Sequence, residues 1–230
     1  MIKTTGLLFT LILCFAIPVF AQKSPGKGFV QLFNGKDLTG WKGLVGDPIS
    51  RQKLSKDSLV IKQKAADEVM KSGWKVENGE LLFTGEGENL ATLKQYANFE
   101  LLVDWKIYDD GNKKGDAGIY LRGTPQVQIW DTSRRDAGAE VGSGGLYNNQ
   151  VNKSKPMKVA DKPLGEWNHF RIIMKDDKVT VYLNGELVTD NVVLENYWDR
   201  NAPIFPKEQI ELQAHGSRVG YKNIYIRELP

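Results

Sequence analysis

Cysteine is nearly missing from this chain: the single one, Cys14, lies inside an apolar stretch near the N-terminus. Removing that stretch leaves no thiol, so no disulfide can staple the fold and its stability has to come from a packed core. Histidine is almost as scarce, with only His169 and His215. No apolar run is long enough for a comfortable membrane span; Gly6 to Phe20 is the longest candidate and falls short. An excess of one charge is lacking too, since 31 Lys and Arg stand against 28 Asp and Glu with the signs interspersed. Nothing resembles a phosphate-binding stripe, and the modest cluster from Lys53 to Lys64 reads as a solvated surface, so nucleic acid is not an expected partner.

What is present at the N-terminus is a short basic start, Met1-Ile2-Lys3, then the apolar run, then Val19-Phe20-Ala21. These are the parts of a secretory signal peptide cut after Ala21. A lipid anchor on Cys14 is disfavoured by the bulky Leu13 before it and by the apolar residues after it. We expect residues 1–21 to be a signal peptide, 22–28 a polar tail, and 29–230 one exported domain, periplasmic or extracellular, with no stable membrane anchor after cleavage.

From Phe29 onward, segments rich in Val, Ile, Leu, Tyr and Trp recur between turn signals such as Asn34-Gly35, Asn78-Gly79 and Asn184-Gly185. The spacing predicts an all-β antiparallel sandwich. Over Asn98 to Ile107, Leu101, Val103, Trp105 and Ile107 alternate with Glu100, Leu102, Asp104 and Lys106, a strand with one apolar face. Lys178 to Leu183, Asn184-Gly185 and Glu186 to Val188 read as a hairpin on a type I′ turn. The closing segment Gln209 to Glu228 should supply two strands around Gly216-Ser217. Only Ser58 to Lys71 reads as helix, and Gly73 stops it. Trp41, Trp74, Trp105 and Trp167 are expected in the core. Glycine-rich stretches at Gly111 to Gly118 and Gly138 to Gly145 are expected as rim loops. Asp109-Asp110 and Asp176-Asp177 lack the spaced oxygens of a calcium loop, so no metal and no cofactor is expected.

Gln126-Val127-Gln128-Ile129-Trp130-Asp131 is the most informative stretch. Alternation turns Gln126 and Gln128 to one face, and a bulge after Trp130 would bring Asp131 onto it. The spacing resembles the Glu-x-Asp-x-x-Glu strand of laminarinase-type β-glucanases, yet amides fill the first two places. Retaining hydrolysis needs two carboxyl groups about 5–5.5 Å apart, which an amide cannot replace. A sugar binder or an enzyme with different chemistry is implied.

The order of the pieces resembles the 3-keto-disaccharide hydrolase family. The resemblance rests on Leu32-Phe33-Asn34-Gly35-Lys36-Asp37-Leu38 with Gly40-Trp41, on Gly118-Ile119-Tyr120-Leu121-Arg122-Gly123, and on the Gln126 to Asp131 stretch. Gly165-Glu166-Trp167-Asn168, Tyr182-Leu183-Asn184-Gly185 and Ile210-Glu211-Leu212-Gln213-Ala214-His215-Gly216 continue it. Some members bear a glutamate at the place of Gln126, so this chain is of the amide-bearing variety. The resemblance implies a concanavalin A-like jelly roll of two curved sheets and an exported enzyme acting on a carbohydrate or glycoside.

A ketone at carbon 3 of a sugar acidifies the carbon 2 proton, and loss of the carbon 1 substituent can follow by elimination, with no carboxylate nucleophile. Such a route needs a base, an enolate stabiliser and a proton donor. His215 is the expected base, because an imidazole is largely uncharged at pH 7 and can accept a proton; alternation from Glu211 puts it with Gln213 on one face. His169 reads as a surface or packing residue. Arg122 is expected to hold an enolate or ring oxygen, the plain alternative being a salt bridge to Asp131 or Glu100. Asp131 is expected as acid or base partner, the plain alternative being a turn cap before Thr132-Ser133. Gln126, Gln128 and Gln213 would bond sugar hydroxyls. Trp130, Tyr120, Tyr147, Tyr197 and Trp198 are candidate stacking platforms, and Asn148, Asn149 and Glu140 could touch ligand or merely turn the chain. A non-catalytic carbohydrate-binding module would use the same amides and aromatics for recognition alone.

Overall fold

The computed structural model describes residues 25–109, 111 and 115–230. The expected signal peptide, residues 22–24 of the tail, and residues 110 and 112–114 of the glycine-rich stretch and its flank lie outside these residues. The described strands are β1 (Val30–Gln31), β2 (Trp41–Gly43), β3 (Trp74–Glu77), β4 (Glu80–Phe83), β5 (Leu90–Thr92), β6 (Phe99–Ile107), β7 (Asp116–Leu121), β8 (Thr124–Trp130), β9 (Asn168–Lys175), β10 (Lys178–Leu183), β11 (Glu186–Val193), β12 (Glu211–Leu212) and β13 (Val219–Glu228). Two helices, α1 (Pro48–Gln52) and α2 (Lys56–Gly73), separate β2 from β3. One sheet runs β11-β10-β9-β6-β13-β4-β3 with β1 added on β13, and the other runs β2-β5-β12-β7-β8; the pairings are antiparallel throughout.

Alternation decides what each sheet shows the other. From the large sheet Leu101, Val103, Trp105, Phe170, Ile172, Val181 and Tyr221 face inward, and from the small sheet Leu90, Ala117, Ile119, Leu121, Val127, Ile129 and Leu212 meet them, all buried. Each such aliphatic or aromatic side chain contributes on the order of 1.5–3 kcal/mol by leaving water. This two-sheet, concanavalin A-like sandwich is the all-β class expected from the strand pattern. The Asn184-Gly185 hairpin is present, both residues at positive φ (52° and 87°) as a type I′ turn requires.

α2 explains how the open flank closes. Its N-cap Ser55 accepts from the Ser58 N–H, and the helix runs beside edge strand β2. Gln63 donates to the Gly43 carbonyl at 2.8 Å and Asp67 accepts the Gly43 N–H at 3.0 Å, so two helix side chains satisfy the edge. A Cβ on Gly43 would sit 2.1 Å from the Ala66 carbonyl oxygen, so only glycine permits this approach. The basic residues of 53–64 are largely on its solvated side.

Four expectations change. α1 is an additional helix, started by Asp47 accepting from Ile49 and Ser50 with Pro48 in its first turn. Gly216-Ser217 closes no hairpin: it hands the chain from β12 in the small sheet to β13 in the large one. Trp167 is not core but half-buried on the outer face of the large sheet, under the ammonium groups of Lys106 and Lys222. Gly118 belongs to strand β7, not to a rim loop. No described helix is long and apolar enough to cross a membrane.

Candidate active site

The outward face of the small sheet carries Asp116, Gly118 and Tyr120 from β7, Gln126, Gln128 and Trp130 from β8, and Glu211 from β12, because these are the positions opposite in phase to its core residues. Over β7, β8 and β12 opens a cavity of about 370 Å³, lined by Asp116, Tyr120, Pro125, Gln126, Tyr147, Asn148, Tyr197, Trp198, Gln213 and His215. A hydrogen-bonded row crosses its floor. The Gln126 amide donates to Gln128 Oε1, and the Gln128 amide donates to Asp116 Oδ1 at 2.7 Å. The other Asp116 oxygen lies 3.1 Å from His215 Nδ1. Ser217 fixes the Asp116 backbone N–H at 3.0 Å, and Arg134 stands 3.7 Å from its carboxylate. Burial pushes the Asp116 carboxyl upward against the pull of Gln128, His215 and Arg134.

The Asp116 contact orients the His215 ring. With Nδ1–H donating to Asp116, the lone pair of the neutral ring is on Nε2, and the carboxylate stabilises the imidazolium that forms when Nε2 takes a proton. His215 is exposed, on the segment just after β12, where it meets the cavity. Gly118 is the reason Gln126 can lie flat on the floor: a Cβ there would be 2.8 Å from Gln126 Cδ. Gln213 is anchored by its N–H to the Gly118 carbonyl at 2.9 Å, while its side-chain oxygen has no partner among the described residues.

Beneath Tyr120 is a second polar group of residues. Glu211 pairs directly across from Tyr120, is 2% exposed, and has Asn89 Nδ2 at 3.4 Å. Burial drives its carboxyl from 4.5 up to about 7, although Arg51, Asn89 and Lys42 pull the other way. Burial also raises the Tyr120 phenol to about 12, with Glu211 adding to it and an Asn89 hydrogen bond opposing, so the phenol remains a neutral donor.

The walls are aromatic. Tyr197 and Trp198 stack edge to face at 4.9 Å and are 42% and 37% exposed, and Tyr147 is 52% exposed, unusual for rings unless something covers them. Trp198 is pinned by its Nε1–H to the Gly123 carbonyl at 2.6 Å. Glu195 accepts the backbone N–H groups of Gln150, Val151 and Asn152, which locks the loop after Asn148; burial raises its carboxyl, but these donors outweigh that and hold it at about 2.

Among the residues expected from sequence, the structure brings together His215, Gln126, Gln128, Gln213, Tyr120, Tyr147 and Asn148. It does not bring Arg122 or Asp131. Arg122 occupies the β7–β8 turn at φ 52°, donating Nε to the Phe205 carbonyl at 2.5 Å and Nη1 to the Asp176 carbonyl. Asp116 is at the other end of the same strand, roughly 20 Å away at about 3.3 Å per residue. Glu100, once its possible partner, binds Arg171 and Arg227 instead. Asp131 fails for a reason of register: the irregularity in the β7–β8 ladder lies between Ile119 and Leu121, not after Trp130, so strict alternation carries Asp131 to the opposite face. There it caps the turn, its Oδ1 accepting from the Ser133 N–H at 3.0 Å and hydroxyl at 2.7 Å. Trp130 lines a neighbouring cavity rather than this one. Asn149 is structural, bonded to Lys153 and Val193 carbonyls, and His169 is an exposed outer-face residue 2.6 Å from Asp104. Sequence reading missed Asp116, Asn89 and Glu211. Asp116-x-Gly118-x-Tyr120 was the signal for the first, since period two places it on the Tyr120 face.

Comparison with known proteins gives the family and the fold. The model of the 3-keto-alpha-glucoside-1,2-lyase-like domain matches residues 28–227. A 3-keto-disaccharide hydrolase of Bacteroides thetaiotaomicron is 23% identical over 255 residues, covering 88% of this chain and 79% of that protein. Two crystal structures of candidate glycosyl hydrolases from Parabacteroides distasonis share the fold. One has a TM-score of 0.65 at 24% identity, covering 88% of this chain and 84% of its own; the other has 0.62 at 25%, covering 88% and 94%.

Proposed function

We propose, from the premise that the chain belongs to the 3-keto-alpha-glucoside-1,2-lyase-like family and is thereby a carbohydrate-active protein of glycosyl hydrolase type, that it cleaves 3-keto-glycosides by elimination. The observation that carries this reading is the row Gln126, Gln128, Asp116 and His215 on the floor of an aromatic-walled cavity whose described lining presents a base and one carboxylate, Asp116, rather than a nucleophile and acid pair.

His215 Nε2 takes the carbon 2 proton, and the electrons of that C–H bond pass into an enolate on the carbon 3 oxygen. The Tyr120 hydroxyl, held neutral, is the donor suited to that oxygen. Collapse of the enolate breaks the carbon 1 to oxygen bond, and the proton on His215 returns to the leaving oxygen, so one histidine serves as base and then as acid. Addition of water to the resulting enone completes a net hydrolysis. Gln126, Gln213 and Asn148 bond hydroxyls, while Tyr147, Tyr197 and Trp198 take the C–H faces of the ring. Gln128 is the positioning residue that holds Asp116. Export rests on the N-terminal sequence signal, with a glycoside as the partner.

Incubating the purified protein with a 3-keto-glucoside and following aglycone release tests the proposal. The wild type should release the aglycone and His215→Ala should not; binding without release by the wild type would leave a carbohydrate-binding module instead.

A further inference from the structure

Next to the cavity above β7 and β8 lies a second one of about 290 Å³, lined by Gln128, Trp130, Ala137, Val141, Tyr147, Pro156 and their neighbours. It exists because residues 143–146 run as an extra ribbon along β8: the Gly144 N–H bonds the Gln128 carbonyl at 2.8 Å, the Gln128 N–H bonds the Gly145 carbonyl at 2.9 Å, and Val127 bridges Leu146. The two 3-10 turns, Arg135–Ala137 and Ala139–Val141, then rise above that ribbon as one wall, and Ser154 to Pro156 form the other. Ser143 fastens the assembly, its hydroxyl accepting the Trp130 N–H at 2.8 Å and its own N–H reaching Asp161 at 3.0 Å.

The two cavities share Tyr147 as a wall, and Gln128 joins the floor of the second to Asp116 of the first. Tyr147 stands edge-on to Trp130 at 5.5 Å. We infer that the second cavity is the subsite for the leaving group, taking a flat ring with an apolar face, either an aryl group or a second pyranose. This inference rests on the proposed function. Elimination requires the carbon 1 substituent to depart beside the carbon attacked by His215, and the exposed Tyr147 ring lines both hollows. Trp130, Val141 and Pro156 supply apolar surface, and Glu140 and Lys155 give polar partners for hydroxyls.

Ala137→Phe and Ser154→Phe fill the cavity from opposite walls, and neither residue is part of the chemistry. Each is assayed on phenyl, glucosyl and methyl 3-keto-glucosides. The inference expects kcat/KM to fall at least about tenfold, or about 1.4 kcal/mol, for leaving groups with a ring, within the range of one lost apolar contact, and to stay within about threefold for methyl. A fall for phenyl alone or for glucosyl alone identifies which ring the site takes. Equal losses on all three substrates, or none, would overturn it. Should the wild type cleave no 3-keto-glycoside, the functional reading fails separately, and saturation-transfer NMR then decides the subsite: transfer to the phenyl protons of phenyl glucoside in wild type and not in the filled variants supports it, and unchanged transfer refutes it. The same NMR comparison decides the matter if either variant melts early.

Discussion

Asp116→Asn changes one atom and should slow the reaction at least about a hundredfold. The carboxylate now accepts twice, from Gln128 Nε2 at 2.7 Å and from the His215 Nδ1 side at 3.1 Å. A carboxamide can accept on only one side. If its oxygen stays on Gln128, its N–H group meets Nδ1 and can bond only an unprotonated Nδ1, which moves the ring proton to Nε2 and removes the lone pair that should attack carbon 2. If the amide turns over, its N–H group faces the Gln128 N–H and a buried donor loses its acceptor, at about 1–3 kcal/mol. Neither orientation keeps both bonds. A positioned general base contributes roughly 10²–10⁴-fold, so kcat for aglycone release should drop by that factor, or about 3–5 kcal/mol of barrier. The assay is steady-state release from a 3-keto-glucoside, with the His215 tautomer read from its ring ¹⁵N shifts in wild type and variant. Asp116→Asn with kcat within threefold of wild type and the same tautomer would refute the reasoning.

Glu211→Gln should stabilise the protein above neutrality. The folded carboxyl titrates near 7 against an ordinary 4.5, so the wild type keeps its full stability below about pH 4.5 and loses it as pH rises through 7; the advantage of the variant should grow by about 3 kcal/mol between pH 4 and pH 8 in urea titrations. Arg122→Ala should lower stability by about 2–4 kcal/mol, through loss of its charged donors to the Phe205 and Asp176 carbonyls, yet leave kcat per folded molecule unchanged. Gly118→Ala, with its Cβ 2.8 Å from Gln126 Cδ, should displace that amide and cut kcat/KM by up to about 10²-fold without moving the melting temperature much. Replacing Tyr197 and Trp198 together by alanine should raise KM about tenfold, at about 0.5–1.5 kcal/mol for each aromatic contact, with kcat little altered.

How much of this was legible in the sequence depends on how local the signal is. Strand β6 and the Asn184-Gly185 hairpin were readable because period two and an αL turn are properties of adjacent residues. Gln126 and Gln128 share a face for the same reason. His215 was reached through period two from Glu211 together with the family resemblance, although β12 itself ends at Leu212. Asp131 was misplaced by a bulge that the chain puts at the other end of the ladder, which no residue type announces. Arg122 has the chemistry of an anion binder, but its place in a two-residue turn sends the guanidinium to backbone carbonyls of Phe205 and Asp176, distant in sequence. Asp116 went unnoticed among glycines, and Glu211 was used only as a phase marker, because its partners Asn89, Lys42 and Arg51 arrive from other segments.

The central claim is that the carbon 2 hydrogen leaves as a proton to His215. A 3-keto-glucoside carrying deuterium at carbon 2, turned over in ordinary water and analysed by mass spectrometry at early times, tests it most directly. The account predicts sugar product that has lost the deuterium, in a reaction that His215→Ala abolishes. Product that retains the label at carbon 2 would mean direct displacement at carbon 1 and would contradict it.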